Sequence, residues 1–469
     1  MTITAGATTA LDSPDELAAL LTGSLVLPDS AEFAMSAFAW NVAITSTPLA
    51  VVHAADAADV QATVEFANRC GLAVDVRNTG HGATHDGSGT ILIRTAALDE
   101  MELHAAEQWV RVGAGVRWAS VIAAAAPFGL APLCGSAPDV GVVGLTTGGG
   151  LGPVARSFGV SSDRVRAIEV VTGDGELHRV TPIENPELFW GLRGGKGALG
   201  IVTAIEFDLV PLATLLGGAL FFSAEDGGRI VERWAEWCLT LPEAATTSVA
   251  IYRLPPMPGV PAPIAGVTTV ALRFAWTGDV EEGRAALQPM LEVANPVFGG
   301  IDVMPYAAVG MIHADPVDPM PTYDAAALLR SLPHDAVASL LAVAGPDTDC
   351  PQLMVELRQL GGAVAREPRT PDALDHRDAP FVLNVIGIGV GPGLVATAAN
   401  TQAVLASVTK WTTGGAFPNF AASDDYAHLR SVYVPETLMR LGGLAVTYDP
   451  HEVIRASWPI RRALLGDDD

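Results

Sequence analysis

The segment VRNTGHGATHDGSG, residues 76–89, sets His81 and His85 four apart in a glycine-rich run. Two histidines at that spacing can hold zinc when they share a helix face and a third ligand is near. Gly80, Gly82, Gly87 and Gly89 argue against a helix here, so no metal is assigned. The run also lacks the lysine of a nucleotide-triphosphate loop. What it offers is a histidine between two glycines, in a loop whose main chain can approach a ligand closely. His85 reads as an ordinary loop histidine.

A second run, GSAPDVGVVGLTTGGGLG, spans residues 135–152. Successive N–H groups in such a run can converge on an anion. Its spacing is neither GxxxxGK[ST] nor the GxGxxG of a dinucleotide fold, and a purely structural turn is the alternative for this run alone. A third run, RGGKGALGIVTAIEFDLVP, covers residues 193–211. Three such loops in one region suggest a long ligand with a pyrophosphate and several rings.

These loops need elements to hold them. SPDELAALL reads as a helix with Ser13 able to cap it and Pro14 at its first position. PLAVVHAADAADVQATVEFANRCG reads as strand then helix, capped by Asp56 or Asp59 and stopped by Gly71. LAVDVR, GTILIRT and QWVRVGAGVRW read as strands, and WASVIAAAAPFG as a helix ending at Gly129. From residue 212 the texture changes. VTTVALRFAWTG and LMVELRQLGGAV alternate as strands, AEDGGRIVERWAEWCLTL and LVATAANTQAVLASVTKW read as helices, and Pro-rich joints separate them. The expectation is an α+β chain whose second region is an antiparallel sheet covered by helices.

Composition narrows the function classes. The 469 residues are 49% hydrophobic and 17% charged, enough for more than one core. A net charge of -25 speaks against nucleic acid and anionic lipid as partners. Four scattered cysteines, with no CxxC pair, indicate neither a disulfide framework nor a structural zinc site. No secretory leader and no membrane-length apolar run is seen, so a cytoplasmic protein is expected.

Taken in order, RNTGHGA, PDVGVVGLTTGGGLG, DRVRAIEVVTGDGELHRV, PELFWGLRGGKGALGIVT and the closing YDPHEVIR resemble the berberine-bridge-enzyme-like FAD-linked oxidases, of the vanillyl-alcohol-oxidase or PCMH-type fold. The likeness covers the first region almost whole and the tail. It implies an FAD-binding domain in two parts, residues 1–211 and 406–469, around a substrate domain at 212–405. It implies that His81 is bonded covalently to the 8-methyl carbon of FAD. It places around the cofactor Arg77, Asn78, Thr79, Gly80 and Gly82 of the first loop, and Gly200, Ile201 and Val202 of the third. From the second loop it takes Ala137, Pro138, Asp139, Gly141, Gly144, Gly148, Gly149 and Gly150, and from the tail Asn419.

The sequence departs from that pattern at three places. Many members carry a second flavin link through a cysteine four residues before the first glycine of VGxxG; here that residue is Ala137. Cys134 is three residues too early and reads as a small buried residue. Many members end in a YxN motif; here Phe417 takes the tyrosine's place and Asn419 keeps the asparagine. Phenylalanine has no proton to exchange. The pocket residue three before the paired glycines is Arg358, sharing a strand face with Met354 and Glu356. Arg358 can bind a carboxylate or stabilise developing negative charge. Glu356 can pair with it, or act as base if burial raises its pKa. Tyr252 and His313 are other possible bases. Phe189 and Trp190 read as core, and Asp163 as a loop-bracing carboxylate.

The resemblance implies an oxidase that moves a hydride from a small or medium organic substrate to FAD held by one histidine, with reoxidation by dioxygen to hydrogen peroxide. The substrate is an alcohol, an amine or an activated C–H compound such as a natural-product intermediate. A monooxygenase or oxidative cyclase, and a catalytically silent flavin-fold binding protein, are the alternatives. The expected assembly is a monomer or homodimer.

Overall fold

The computed structural model describes residues 11–420 and 426–465. The first helix is Pro14–Leu20, as the pattern requires, but the Ser13 side chain makes no capping bond. The proline ring at the start presets the helical φ instead. The strands Ala50–His53, Thr90–Arg94 and Ala73–Arg77 lie parallel in that order, with Ser24–Val26 antiparallel at the edge. Helix Ala57–Cys70 is the crossover. Asp56 caps it by accepting from the Asp59 N–H, and Gly71 ends it with φ 65°. A cap of this kind contributes about 1 kcal/mol. Asp59 is buried and accepts the N–H groups of Thr22, Gly23 and Ala55 at 2.7, 2.9 and 2.7 Å.

A five-stranded antiparallel sheet follows, ordered Met101–His104, Trp109–Gly113, Ile201–Asp208, Val165–Val171, Leu177–Val180. Its Val171 and Ile201 share a core with the first sheet. The tail rejoins these sheets. Val74 donates its N–H to the Val453 carbonyl at 2.7 Å and bridges in parallel to Ile454. Asp449 of YDPHEVIR shapes that return, accepting from Val453 N, Ile454 N and Ser457 Oγ at 2.7, 3.1 and 2.9 Å. Leu438, Leu441 and Ala445 of helix Pro435–Tyr448 share a core with Phe189 and Trp190, which are both buried.

The third layer is a seven-stranded antiparallel sheet, ordered Phe298–Pro305, Thr214–Ser223, Thr268–Trp276, Ala245–Arg253, Met354–Gln359, Phe381–Ile388, Thr322–Leu329. Side chains alternate between its faces. Val249, Ile251, Leu272, Phe274, Val355, Leu357, Leu383 and Val385 form one core with Ile230, Leu287, Val337 and Val404 of four helices. Each such side chain, fully buried, contributes about 1.5–3 kcal/mol. The opposite face carries Ser248, Tyr252, Arg273, Glu356, Arg358 and Asn384, which the strand registers place side by side. An antiparallel sheet covered by helices on one face is what the sequence led us to expect. Among the described residues no helix is long and apolar enough to cross a membrane.

Candidate cofactor cavity and substrate face

The first loop leaves strand Ala73–Arg77 and is tied down before its histidine. Arg77 is buried and donates to the Ala37 carbonyl at 2.7 Å and Ser46 Oγ at 3.0 Å. Gly80 has φ 81°, and a Cβ there would sit 2.8 Å from Ala39 Cα. Only glycine fits such a backbone and such a neighbour. His81 stacks on Trp40, with ring centroids 4.5 Å apart and planes at 17°. Its Nδ1 lies 2.8 Å from Thr79 Oγ1. Burial, helped by nearby Arg117, pushes the imidazole pKa down to about 4, so the ring is neutral at physiological pH.

The other two glycine runs close around this loop. Asn78 donates to the Ala114 carbonyl at 3.0 Å, and a Cβ on Gly141 would lie 2.8 Å from Asn78 Nδ2. The second and third runs are joined by the N–H groups of Gly194 and Lys196, both donating to the Thr147 carbonyl at 2.8 and 3.1 Å. Between the three runs and the returning tail lies a cavity of about 490 Å³, within the range that holds a cofactor. Arg77, Asn78, Thr79, Gly80, His81, Gly82, Gly141, Gly144, Gly200, Ile201, Val202 and Asn419 all line it. His85 lines it too, 3.7 Å from Asp75 and accepting the Gly87 N–H. The glycine walls, the neutral His81 and the cavity's length along three loops fit FAD.

Six residues assigned to the cavity stand elsewhere. Ala137, Pro138 and Asp139 do not line it. The Pro138 carbonyl accepts from Ala119 N at 2.8 Å, bracing the start of helix Trp118–Ala125. Gly148, Gly149 and Gly150 are needed for packing. A Cβ on them would come 2.1 Å from Asn419 Oδ1, 2.9 Å from Leu374 Cδ2 and 2.2 Å from Ser161 Oγ. Gly144 is the contrasting case, with nothing within 4 Å of its Cβ position. Sequence reasoning also missed cavity residues, among them Lys196, Asp324 and Thr147. Lys196 had a signal, being the one charged residue inside GGKG. Asp324 had none, because only sheet register brings it there.

The polar face of the large sheet forms a second, denser cluster. Glu356 is fully buried. It accepts from Ser248 Oγ at 2.8 Å, from Arg358 Nε at 2.5 Å, and from Arg273. Arg273 also donates to the Tyr252 hydroxyl. Burial alone would raise the Glu356 pKa, but the charges of Arg358 and Arg273 and the hydrogen bonds from Arg358 and Ser248 outweigh it and hold it below the usual carboxylate range. The condition for Glu356 to serve as a base is therefore not met. Tyr252 is pushed up to about 12, chiefly by burial. His313 is driven well below its ordinary value by burial, then by Arg273 and Arg358, so its 3.7 Å approach to Glu356 is not an ion pair. Both its ring nitrogens are buried without a hydrogen-bond partner. The space beside this cluster is only about 20 Å³, room for one water. Arg358 extends beyond it to lie over the Phe420 ring, centroid at 5.6 Å, next to Asn419 of the cavity wall.

Other singled-out residues are accounted for by packing. Asp163 accepts from Val160 N at 3.0 Å and pairs with Arg377 at 2.8 Å. Cys134 is buried with Sγ 3.4 Å from Tyr306 Oη. Phe417 is buried in an apolar cluster with Leu151 and Leu374. Asn419 donates to the Leu145 carbonyl at 2.8 Å. Ligand atoms of Asp174, Glu176 and His178 come within 4.8 Å of one another. The Asp174 carboxylate there accepts from Thr172 Oγ1 and Glu176 N, as in an ordinary turn.

Comparison with known proteins agrees with this geometry. Residues 48–181 match the FAD binding domain family FAD_binding_4. The chain is 32% identical over 194 residues to (R)-6-hydroxynicotine oxidase of Paenarthrobacter nicotinovorans, covering 40% of this chain and 42% of that protein. It thus spans less than half the length of that relative. An FAD-linked oxidoreductase of Dictyostelium discoideum is 24% identical, over 73% of this chain and 74% of its own. Among solved structures, the berberine-bridge-like enzyme 1 of Physcomitrella patens superposes with a TM-score of 0.81 at 18% identity, over 94% of this chain and 97% of its own. The glucooligosaccharide oxidase of Acremonium strictum gives 0.79 at 18% identity, over 94% and 98%. FAD is the cofactor of the domain family that residues 48–181 match, and the superpositions show that the chain has the fold of the berberine-bridge-like enzymes.

Proposed function

We propose that the chain is an oxidase in which FAD, bonded through His81 alone, takes a hydride from a small or medium organic substrate. The observation that carries this reading is a neutral imidazole on the wall of a cavity lined by three glycine loops. Thr79 Oγ1 engages Nδ1 and orients the ring, and a neutral imidazole keeps a lone pair on one of its nitrogens, the form of histidine that can act as a nucleophile. The Acremonium oxidase holds a 6-S-cysteinyl, 8α-N1-histidyl FAD. Here Ala137 offers no sulfur, and the Cys134 thiol is pushed up to about 11 by its burial. The cofactor supplies hydride acceptance and its return to dioxygen, with release of hydrogen peroxide.

In this reading residues 1–211 and 406–469 hold the cofactor and 212–405 supply the substrate face. Arg358 binds an anionic or hydrogen-bond-accepting group of the substrate, and Glu356 fixes the arginine's direction rather than taking a proton. Asn419 hydrogen-bonds at the cavity wall. The buried Phe417 leaves no phenolic proton relay, which favours substrates that are already anionic or easily deprotonated. The site of action is taken to be the cytoplasm. A panel of alcohols, amines and phenolic compounds, screened for anaerobic bleaching of the flavin, tests the reading. Bleaching followed in air by one peroxide per substrate is expected. Oxygen incorporated into product without free peroxide would replace the oxidase with a monooxygenase.

A further inference from the structure

Lys196 stands in the third glycine run, RGGKG, with φ 47°. A residue with a side chain is strained there, and its neighbours Gly194 and Gly197 have φ 121° and 82°. The ammonium also loses water. Lys196 lines the cavity, donates to the Pro418 carbonyl, and lies 4.0 Å from the Cβ position of Gly82, the residue after His81. Its compensating carboxylate is Asp324, on the cavity wall from strand Thr322–Leu329. Burial lowers the ammonium pKa to about 8, against the opposing pull of Asp324, and the cation persists at neutral pH. Backbone strain and desolvation are thus both tolerated to keep a positive charge beside the loop that carries His81. A tie between loops alone could be made by a neutral donor.

We propose that Lys196 is a cofactor-facing residue whose charge raises the reduction potential of the bound flavin. The assignment rests on His81 anchoring the flavin ring, because that anchor puts the ring next to Gly82. Hydride transfer brings two electrons and one proton to a neutral ring and leaves it with one negative charge. A fixed cation within a few ångströms, poorly screened, stabilises that charge. Asp324 works in the opposite sense and limits the effect.

The test is the midpoint potential of the flavin at neutral pH, measured by dye-equilibrated reduction of the intact protein and three variants. Lys196→Met should shift the potential to more negative values, while Lys196→Arg stays close to the unaltered protein. Asp324→Asn should shift it the other way, and this variant decides the matter should the Met variant not fold. An unchanged potential in Lys196→Met with a full complement of flavin would reduce Lys196 to a structural tie and overturn the proposal. So would Asp324→Asn with no upward shift. Failure of the unaltered protein to hold FAD would instead overturn the function proposed above.

Discussion

The cofactor cavity and the polar face of the large sheet are both functional candidates, built on opposite plans. The cavity is made by main chain. Glycine loops bring backbone close to open space, and His81 and Lys196 reach it from two different loops. The polar face is made by side chains from four strands, bonded to one another around a buried carboxylate. Bound FAD would complete the first; the second is almost complete without any ligand. The second should therefore be the more sensitive of the two to loss of a single side chain.

The largest expected effect breaks the second region. Glu356→Ala leaves Arg273 and Arg358 facing each other in a buried site, and removing one partner of such a set costs about 3–5 kcal/mol. Thermal unfolding should show a clear drop in Tm, on the order of 5–10 °C. An unchanged Tm would mean the cluster is not the packed unit described. His81→Ala, by contrast, should leave Tm of the flavin-free protein within a few degrees while flavin retention after gel filtration falls sharply.

A finer comparison lies inside the cavity. Gly80→Ala meets both a φ of 81° and the Ala39 backbone, so it should destabilise the apo-protein by about 1–3 kcal/mol. Gly144→Ala meets nothing within 4 Å. It should leave apo-protein stability unchanged yet weaken FAD binding, because its methyl occupies cavity space. Equal behaviour of the two variants in urea unfolding and flavin titration would remove the distinction between packing glycines and clearance glycines.

The smallest effect is on pH. The His81 pKa is depressed to about 4 from its ordinary 6.5, mainly by burial. The imidazole stays neutral as pH falls through 6.5 and gains its proton only near 4. Flavin attachment to apo-protein should therefore proceed at an even rate from pH 8 to about 5. An ordinary histidine would already slow attachment tenfold by about pH 5.5. The same depression makes His81 a source of lost stability as pH falls from 6.5 towards 4. The unfolded chain takes up the proton there and the folded one does not.

The contrast between the regions also explains what could be read from the sequence. Main-chain sites announce themselves locally: glycines must sit at fixed offsets, so RNTGHGA, GVVGLTTGGG and RGGKGALG were visible as one system. The Asp449 turn behind YDPHEVIR is equally local, with its partners within eight residues. The sheet cluster is not. Arg273 and Ser248 join Glu356 across 83 and 108 residues of separation, Tyr252 joins Arg273 across 21, and no spacing rule foretells register. Burial reverses expectations as well: it suggested a raised Glu356 pKa, and two arginines supplied by other positions determine the opposite. Gly148–Gly150 erred in the other direction, because a glycine kept for a neighbouring side chain looks the same in sequence as one kept for a ligand.

The central claim is that His81 is the single covalent anchor of FAD. Proteolysis of the acid-precipitated yellow protein, followed by mass spectrometry of the fragments, tests it most directly. One flavin-bearing peptide is expected, containing residue 81, with every cysteine-containing peptide at its unmodified mass. Flavin released into the acid supernatant, or found on a peptide containing Cys134 rather than His81, would contradict the account.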